Sequence, residues 1–382
     1  MNIDRFSVLN GSVEQKLMPE NRSAENGTPD FGFNLFNKLG KLYTPVLDKD
    51  AMVKPNWPDG KKFALCLTHD VDSVSQYALR RPWNSIVLAL KNLGKPEYKK
   101  RLINNCYHYL NNFAHRLTSD PYHHFEKWLD LESQFDAHST FFFFPEKTGK
   151  KHFADCGYSY NENIKFAGQK CSVKELMQEI DRRGWEIGLH ASCRSFDDVD
   201  EMKFQKEQVE KAIGYEIKSV RQHCLYMDIK STPVVQNAAG LKYDSSLGFN
   251  SNIGFRFGTS YPWHLYDSDK EKQLEILEIP LAIMDCALLS PNRCLALDKA
   301  TAVEYCKLII DEVEKVKGVV TLLWHPEYVS RESWFLVYKE ALRYAKQKNA
   351  WFGSVGEIGD YWNGAGIDTY VENNTKALEV SR

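Results

Sequence analysis

Apolar residues in this chain gather in short runs separated by longer stretches of helical spacing. Runs at 63–68, 139–144, 185–190, 219–221, 241–244, 274–279, 319–324 and 351–353 have the length of buried strands. The stretches between them carry readable helix ends. Ser172-x-x-Glu175 forms a capping box, with Val173, Leu176, Met177 and Ile180 on one face and Gly184 as the stop. Thr232-Pro233 opens a helix that stops at Gly240, Thr301-x-x-Glu304 one that stops at Gly318, and Ser354-x-x-Glu357 the last. Strand followed by helix, repeated some seven times, predicts parallel βα units in a barrel or an open sheet.

Three segments break this rhythm. Residues 1–60 are rich in Asn, Gly, Pro, Asp and Lys without a clear period, and read as an irregular extension packed on the barrel. Residues 78–135 read as an insertion of two or three helices before the second strand. Residues 366–382 read as a polar tail. The remainder, 61–365, is one α/β unit.

Composition narrows the function classes. The chain has 382 residues, 43% of them hydrophobic, so a large core can form, and its formal net charge of −2 gives no bulk basic surface for nucleic acid. Nine cysteines without a CxxC pair suggest neither a zinc ribbon nor a disulfide framework. No apolar run reaches the roughly 20 residues of a membrane span. The first residues lack a basic region followed by an apolar stretch, so the expected location is the cytoplasm.

The informative feature is where ionisable residues fall. Asp70 and Asp72 follow the first strand, His190 the third, Arg221 and His223 the fourth, Asp244 the fifth and His325 the seventh. Parallel α/β proteins build their sites at the carboxyl ends of strands. Alone, a DxD pair is as readily a turn or a helix cap, and a single histidine is more often structural. Five such positions together point to chemistry. Asp70 and Asp72, two apart on an extended segment, project to one side, where one carboxylate can hold a divalent metal while the other acts as a base. Two histidines could supply a metal ligand and a proton donor.

At these residues the chain resembles the polysaccharide deacetylase family, carbohydrate esterase family 4. The matching strings run in order from 63 to 325: Leu67-Thr-His-Asp-Val-Asp72, Ser139-Thr-Phe-Phe-Phe, Glu186-Ile-Gly-Leu-His190, Arg221-Gln-His, Glu278-Ile-Pro-Leu-Ala-Ile-Met-Asp285 and Leu323-Trp-His325. Tyr243-Asp-Ser-Ser-Leu-Gly-Phe249 and Gly254-Phe-Arg-Phe-Gly-Thr259 are similar to a bacterial branch linked with cell-surface polysaccharide synthesis. The resemblance implies a distorted, TIM-like (β/α) barrel of about seven parallel strands. It also implies hydrolytic removal of an N- or O-acetyl group from a carbohydrate or nucleotide-sugar. Asp70 would be the base, Arg221 its steadying partner, His325 the acid and Asp285 its orienting group. Asp72 and His190 would hold a divalent metal, zinc in the first place.

One position departs from the family. The second metal histidine, four residues after the first, is here Arg194, and a guanidinium cannot ligate a metal. Three outcomes follow. His69 or His223 completes the site; or metal binds weakly through Asp72, His190 and water; or the site is metal-free, with Arg194 pairing Asp72 and binding an anionic substrate group. Arg194, His223, Tyr226, Trp263 and Trp324 are the candidates for substrate contact, with core packing the default for the three aromatics. Two other readings stand beside hydrolysis of a sugar ester or amide: a metal-free carbohydrate- or sugar-phosphate-binding protein, and an amidohydrolase acting on a small cyclic amide.

Overall fold

A computed structural model describes residues 4–17, 34–51, 54–78, 80–92, 96–115, 120–293 and 295–364. The polar tail at 366–382 lies outside the described residues. The first 60 residues are less irregular than their composition suggests. Their described residues include three short α-helices, α1 (Arg5–Leu9), α2 (Ser12–Leu17) and α3 (Leu35–Lys38). Asp4 and Asn34 cap α1 and α3 by accepting from backbone N–H groups of the first turn.

These helices are fastened to the barrel by buried polar contacts. Glu14 of α2 grips Arg256 at 2.9 and 2.5 Å. Asp48 accepts from the Thr259 and Ser260 hydroxyls at 2.5 and 2.7 Å and from the Ser260 N–H at 2.6 Å. Phe36 of α3 lies so close to Gly258 that a Cβ there would sit 2.2 Å from the ring, and Gly258 also has φ +65°. Only glycine meets both conditions without strain.

The barrel begins with β1 (Ala64–Val71), buried at every position. Three helices, α4 (Arg80–Lys91), α5 (Pro96–His115) and α6 (Glu126–Ser133), lie between it and the second strand. After β2 (Thr140–Phe143) comes a hairpin the apolar pattern did not announce, β3 (Asn163–Phe166) and β4 (Gln169–Ser172). Its exposed polar residues give no strand signal. The Ser172–Glu175 capping box then starts α7 (Val173–Arg182), with Ser172 and Glu175 bonded reciprocally.

The next units are β5 (Glu186–Ala191) with α8 (Val199–Ile213), β6 (Ser219–Gln222) with α9 (Thr232–Ala238), and the two-residue β7 (Tyr243–Asp244). The strands β8 (Trp263–Asp267), β9 (Lys272–Glu278) and β10 (Leu281–Met284) then precede α10 (Asp285–Leu289) and α11 (Lys299–Val316). Asp298, not Thr301, caps α11, so this helix starts earlier than the Thr-x-x-Glu string predicted. The chain closes with β11 (Val319–Leu323), α12 (Glu332–Gln347), β12 (Trp351–Gly353) and α13 (Val355–Gly364).

Strand order in the main sheet is β10-β11-β1-β2-β5-β6-β7-β9-β8, with β12 beside the first half of β1. Every pair is parallel except β8–β9. The stretch holding β9 and β10, broken at Pro280, pairs with β7 through its first part and with β11 through its second. It therefore links the two ends of the parallel run and curls the sheet into a (β/α) barrel of seven staves, as expected. β8 is an antiparallel edge addition.

Candidate active site

Period-two alternation along the staves decides which side chains enter the barrel mouth. On β1, Thr68 and Asp70 point inward, where Thr68 meets Arg221 at 3.2 Å. His69 points outward to the helices. Its Nδ1 faces the Trp324 carbonyl at 2.6 Å and its Nε2 faces Glu132 of α6 at 2.8 Å. Both ring nitrogens are engaged by protein oxygens and the ring is fully buried away from the carboxylates, so His69 is removed from the candidate ligands. Trp324 is likewise turned into the core, against Tyr338 and with its Nε1 bonded to the Trp334 carbonyl. Trp263, on the antiparallel edge, packs against Phe257. Neither tryptophan is a surface for stacking a sugar.

The inward set converges on Asp72, just past β1. Its Oδ1 lies 3.1 Å from His190 Nε2, 3.6 Å from His223 Nε2 and 3.6 Å from Cys156 Sγ. Its Oδ2 lies 3.7 Å from His325 Nε2. Burial would raise this carboxyl, but His223, His190 and His325 outweigh it and hold it well below the usual carboxylate range. Burial would likewise lower His223, yet Cys156, Asp72 and Asp155 together raise it well above the imidazole range.

Asp70 occupies the inner flank. One oxygen is 3.8 Å from His190 Nε2, the other 3.8 Å from Arg221 Nη1. Arg221 is fully buried over the Phe142 ring and is held by Thr68 and Ser245. Beneath it, Asp244 and Glu278 face each other across β7 and β9. Burial and the neighbouring Asp244 push Glu278 well above the carboxylate range, against the pull of the Arg221 guanidinium nearby.

On the opposite flank Asp285 accepts from the His325 backbone N–H at 2.8 Å and meets Nδ1 at 2.7 Å. Nε2 is thereby turned to the common centre.

The donor set fits a divalent cation on its chemistry. His190 Nδ1 faces the Arg221 carbonyl at 3.1 Å, so in a neutral ring it donates there and Nε2 presents a lone pair to the Asp72 oxygen. Two acceptors 3.1 Å apart require a proton or a cation between them. Asp72, Cys156, His190 and His223 each bring one ligand atom within 4.8 Å of the others. Arg194 does not pair with Asp72. Half-buried, it makes no ion pair among the described residues, while Asp72 is taken by the three histidines.

The sequence reading missed two of these groups. Asp155 (3.9 Å from His223 Nδ1) and Cys156 come from the loop between β2 and β3, which carries no motif. That loop, with Phe144, Lys147, His152 and Phe153, walls an open cleft of about 600 Å³. Tyr226 is mostly buried against Phe196, with its ring 6.0 Å from that of His152 on the cleft wall.

No family model and no curated protein matches the chain. Solved structures do. A protein assigned as a polysaccharide deacetylase from Mycobacterium smegmatis superposes with a TM-score of 0.52 at 19% identity, covering 82% of this chain and 95% of the other. An allantoinase gives 0.50 at 13% identity over 83% and 95%. A protein assigned as a polysaccharide deacetylase from Pseudomonas aeruginosa gives 0.50 at 13% over 83% and 96%. At such identities the likeness is one of fold: this chain has the (β/α) barrel architecture seen in these deacetylase and allantoinase structures.

Proposed function

We propose that the chain is a hydrolase that removes an N- or O-acetyl group from a carbohydrate with the help of a divalent metal. One observation carries this reading: three imidazoles from separate staves surround Asp72, with a second carboxylate, Asp70, free beside them. Asp72, His190 and His223 would hold the cation, and Cys156 stands within reach as a fourth donor. Bound there, a cation such as zinc supplies positive charge for the developing oxyanion and acidifies water.

The protein's own groups divide the remaining work. Arg221, 3.8 Å from Asp70, steadies that carboxylate toward the centre, where Asp70 would accept the proton of the attacking water. Asp285 fixes the His325 ring with Nδ1 occupied, leaving Nε2 to hand a proton to the departing amine or alkoxide. The cleft beside Cys156 is open enough for a saccharide and mixes both signs of charge, with Lys147 and Lys151 against Glu146 and Asp155. A cell-surface polysaccharide is the substrate class this reading favours.

The test is acetate release from a panel of acetylated oligosaccharides and nucleotide-sugars, with allantoin included because a neighbour of the same fold is an allantoinase. Asp70→Asn should lower turnover by about 10² to 10⁴-fold while metal content stays unchanged. A wild-type protein that binds a glycan without releasing acetate, metal present or not, would return the non-catalytic reading. Ring opening of allantoin alone would return the amidohydrolase one.

A further inference from the structure

The insertion after β1 has no part in the chemistry above, yet its surface is the least ordinary on the molecule. Among the described residues, seven of the eleven exposed large apolar side chains lie on α4 and α5. On α5, Ile103, Tyr107, Leu110 and Phe113 are 66–71% exposed at spacings of four, three and three, one continuous stripe. On α4, Trp83, Leu88 and Leu90 are at least half exposed, while Ile86 and Ala89 are buried. A stripe of this size on a soluble surface marks a site of interaction.

Charge selects what it meets. The two helices carry Arg80, Arg81, Lys91, Lys99, Lys100 and Arg101 against a single acid, Glu97, in a chain whose net charge is −2. A second copy would bring the same positive charge to the contact and be repelled. An anionic surface would be attracted, and Trp, Tyr and Phe beside Lys and Arg are the residues that settle at a lipid headgroup boundary.

We propose that the α4–α5 hairpin docks the protein on an anionic lipid bilayer, laying its apolar stripe into the headgroup region without crossing it. No helix among the described residues is long and apolar enough to span a membrane, so the contact is peripheral. The foot of the hairpin is pinned to the rim that bears Asp70 and Asp72. Asp120 accepts from the Ser75 hydroxyl at 2.5 Å and from the Gln76 and Tyr77 N–H groups at 3.1 and 3.3 Å, and Asn112 donates to the Ala78 carbonyl at 3.0 Å. Docking would therefore fix the barrel mouth relative to the lipid surface, whatever reaction occurs there.

Flotation of the full chain with vesicles tests this. The protein should float with phosphatidylglycerol-containing vesicles, bind pure phosphatidylcholine at least about tenfold more weakly, and be released by salt. Lys91→Glu with Lys99→Glu should lower anionic binding by about tenfold or more, and Ile103→Ser with Leu110→Ser should abolish it. All four side chains are solvent-facing, so unchanged circular dichroism will show that the fold is kept. Failure to float with either vesicle, or binding indifferent to headgroup charge, overturns the proposal. So does a dimer in sedimentation equilibrium that the Ile103→Ser/Leu110→Ser variant converts to monomer, because the stripe would then belong to a second copy.

Discussion

Asp285 and His325 are joined twice, once through the histidine's backbone N–H at 2.8 Å and once through its ring Nδ1 at 2.7 Å. Both bonds use one carboxylate, so the residue fixes where the ring starts and which way it faces. Burial would lower the His325 pKa, but Asp285 and Cys286 raise it well above the imidazole range, the state a proton donor needs.

Asp285→Asn keeps the shape and removes the charge. An amide can still accept from one of the two N–H groups but presents its own NH₂ to the other, so the ring turns or loses its proton. Under the proposed roles, kcat should fall by about 10² to 10⁴-fold with KM little changed. Steady-state kinetics on an acetylated substrate checks this. A rise in KM at unaltered kcat would mean that the pair positions substrate rather than a proton.

The metal set predicts a ranking among variants. A tetrahedral zinc site, with bonds of about 2.0 to 2.3 Å, places its donor atoms about 3.3 to 3.8 Å apart. The separations of 3.6 Å (Asp72–His223), 3.6 Å (Asp72–Cys156) and 3.8 Å (Cys156–His223) lie in that range, and 3.1 Å (Asp72–His190) just below it. Equilibrium dialysis with zinc should show binding lost in His190→Ala and His223→Ala, weakened about tenfold or more in Cys156→Ser, and unchanged in His69→Ala. With cobalt in place of zinc, a sulfur-to-metal charge-transfer band should vanish in Cys156→Ser while the visible bands persist. Equal zinc binding in His223→Ala would exclude that residue as the missing ligand.

Much of the site could be read from the chain because its residues sit at strand ends, and strand ends are set by apolar runs that local sequence makes plain. The choice between His69 and His223 was legible too, by the same rule that paired Asp70 with Asp72. Positions an even number apart share a side, so His69 had to face away from the carboxylates, whereas His223 follows Arg221 by two and faces with it. Trp324 fails as a sugar platform for the same reason, standing next to His325. Asp155 and Cys156 were not legible. Their loop reaches the centre through tertiary packing, with the Tyr158 hydroxyl accepting from the Phe144 N–H at 2.7 Å, and no periodicity encodes that fold-back. The hairpin β3–β4 and the edge strand β8 escaped because half-exposed strands carry little apolar signal.

Glu132 predicts an acid-sensitive stability that has nothing to do with catalysis. Fully buried on α6, it faces His69 Nε2 at 2.8 Å and accepts from the Trp185 indole at 2.6 Å and the Tyr338 hydroxyl at 2.6 Å. Burial would raise its pKa, but His69 and these hydrogen bonds outweigh that and hold it below the ordinary 4.5. A carboxyl depressed in the folded state contributes its stability above the unfolded value, and that contribution is lost as pH falls through the folded one. Urea midpoints should therefore decline as pH drops below about 4.5. Glu132→Gln should be destabilised by about 1 to 3 kcal/mol at neutral pH and show a flatter acid decline. An unchanged decline in the variant would assign the acid sensitivity to other carboxyls.

The N-terminal helices give the last prediction, because their attachment is charged and buried. Arg256 is 4% exposed and Glu14 8%, and the guanidinium meets both carboxylate oxygens in a forked contact. Removing one member of such a pair leaves the other desolvated without a partner, which costs about 3 to 5 kcal/mol. Glu14→Ala should therefore lower stability by about that amount, although it lies far outside the barrel staves in sequence. Replacing both, Glu14→Leu with Arg256→Met, should recover most of the loss, since an apolar pair of similar volume needs no solvation. Denaturation of the two single variants and the double variant would measure the coupling. If the single substitutions cost less than about 1 kcal/mol, α2 is not fastened to the barrel in solution, and the first 17 residues could be removed without consequence for the mouth.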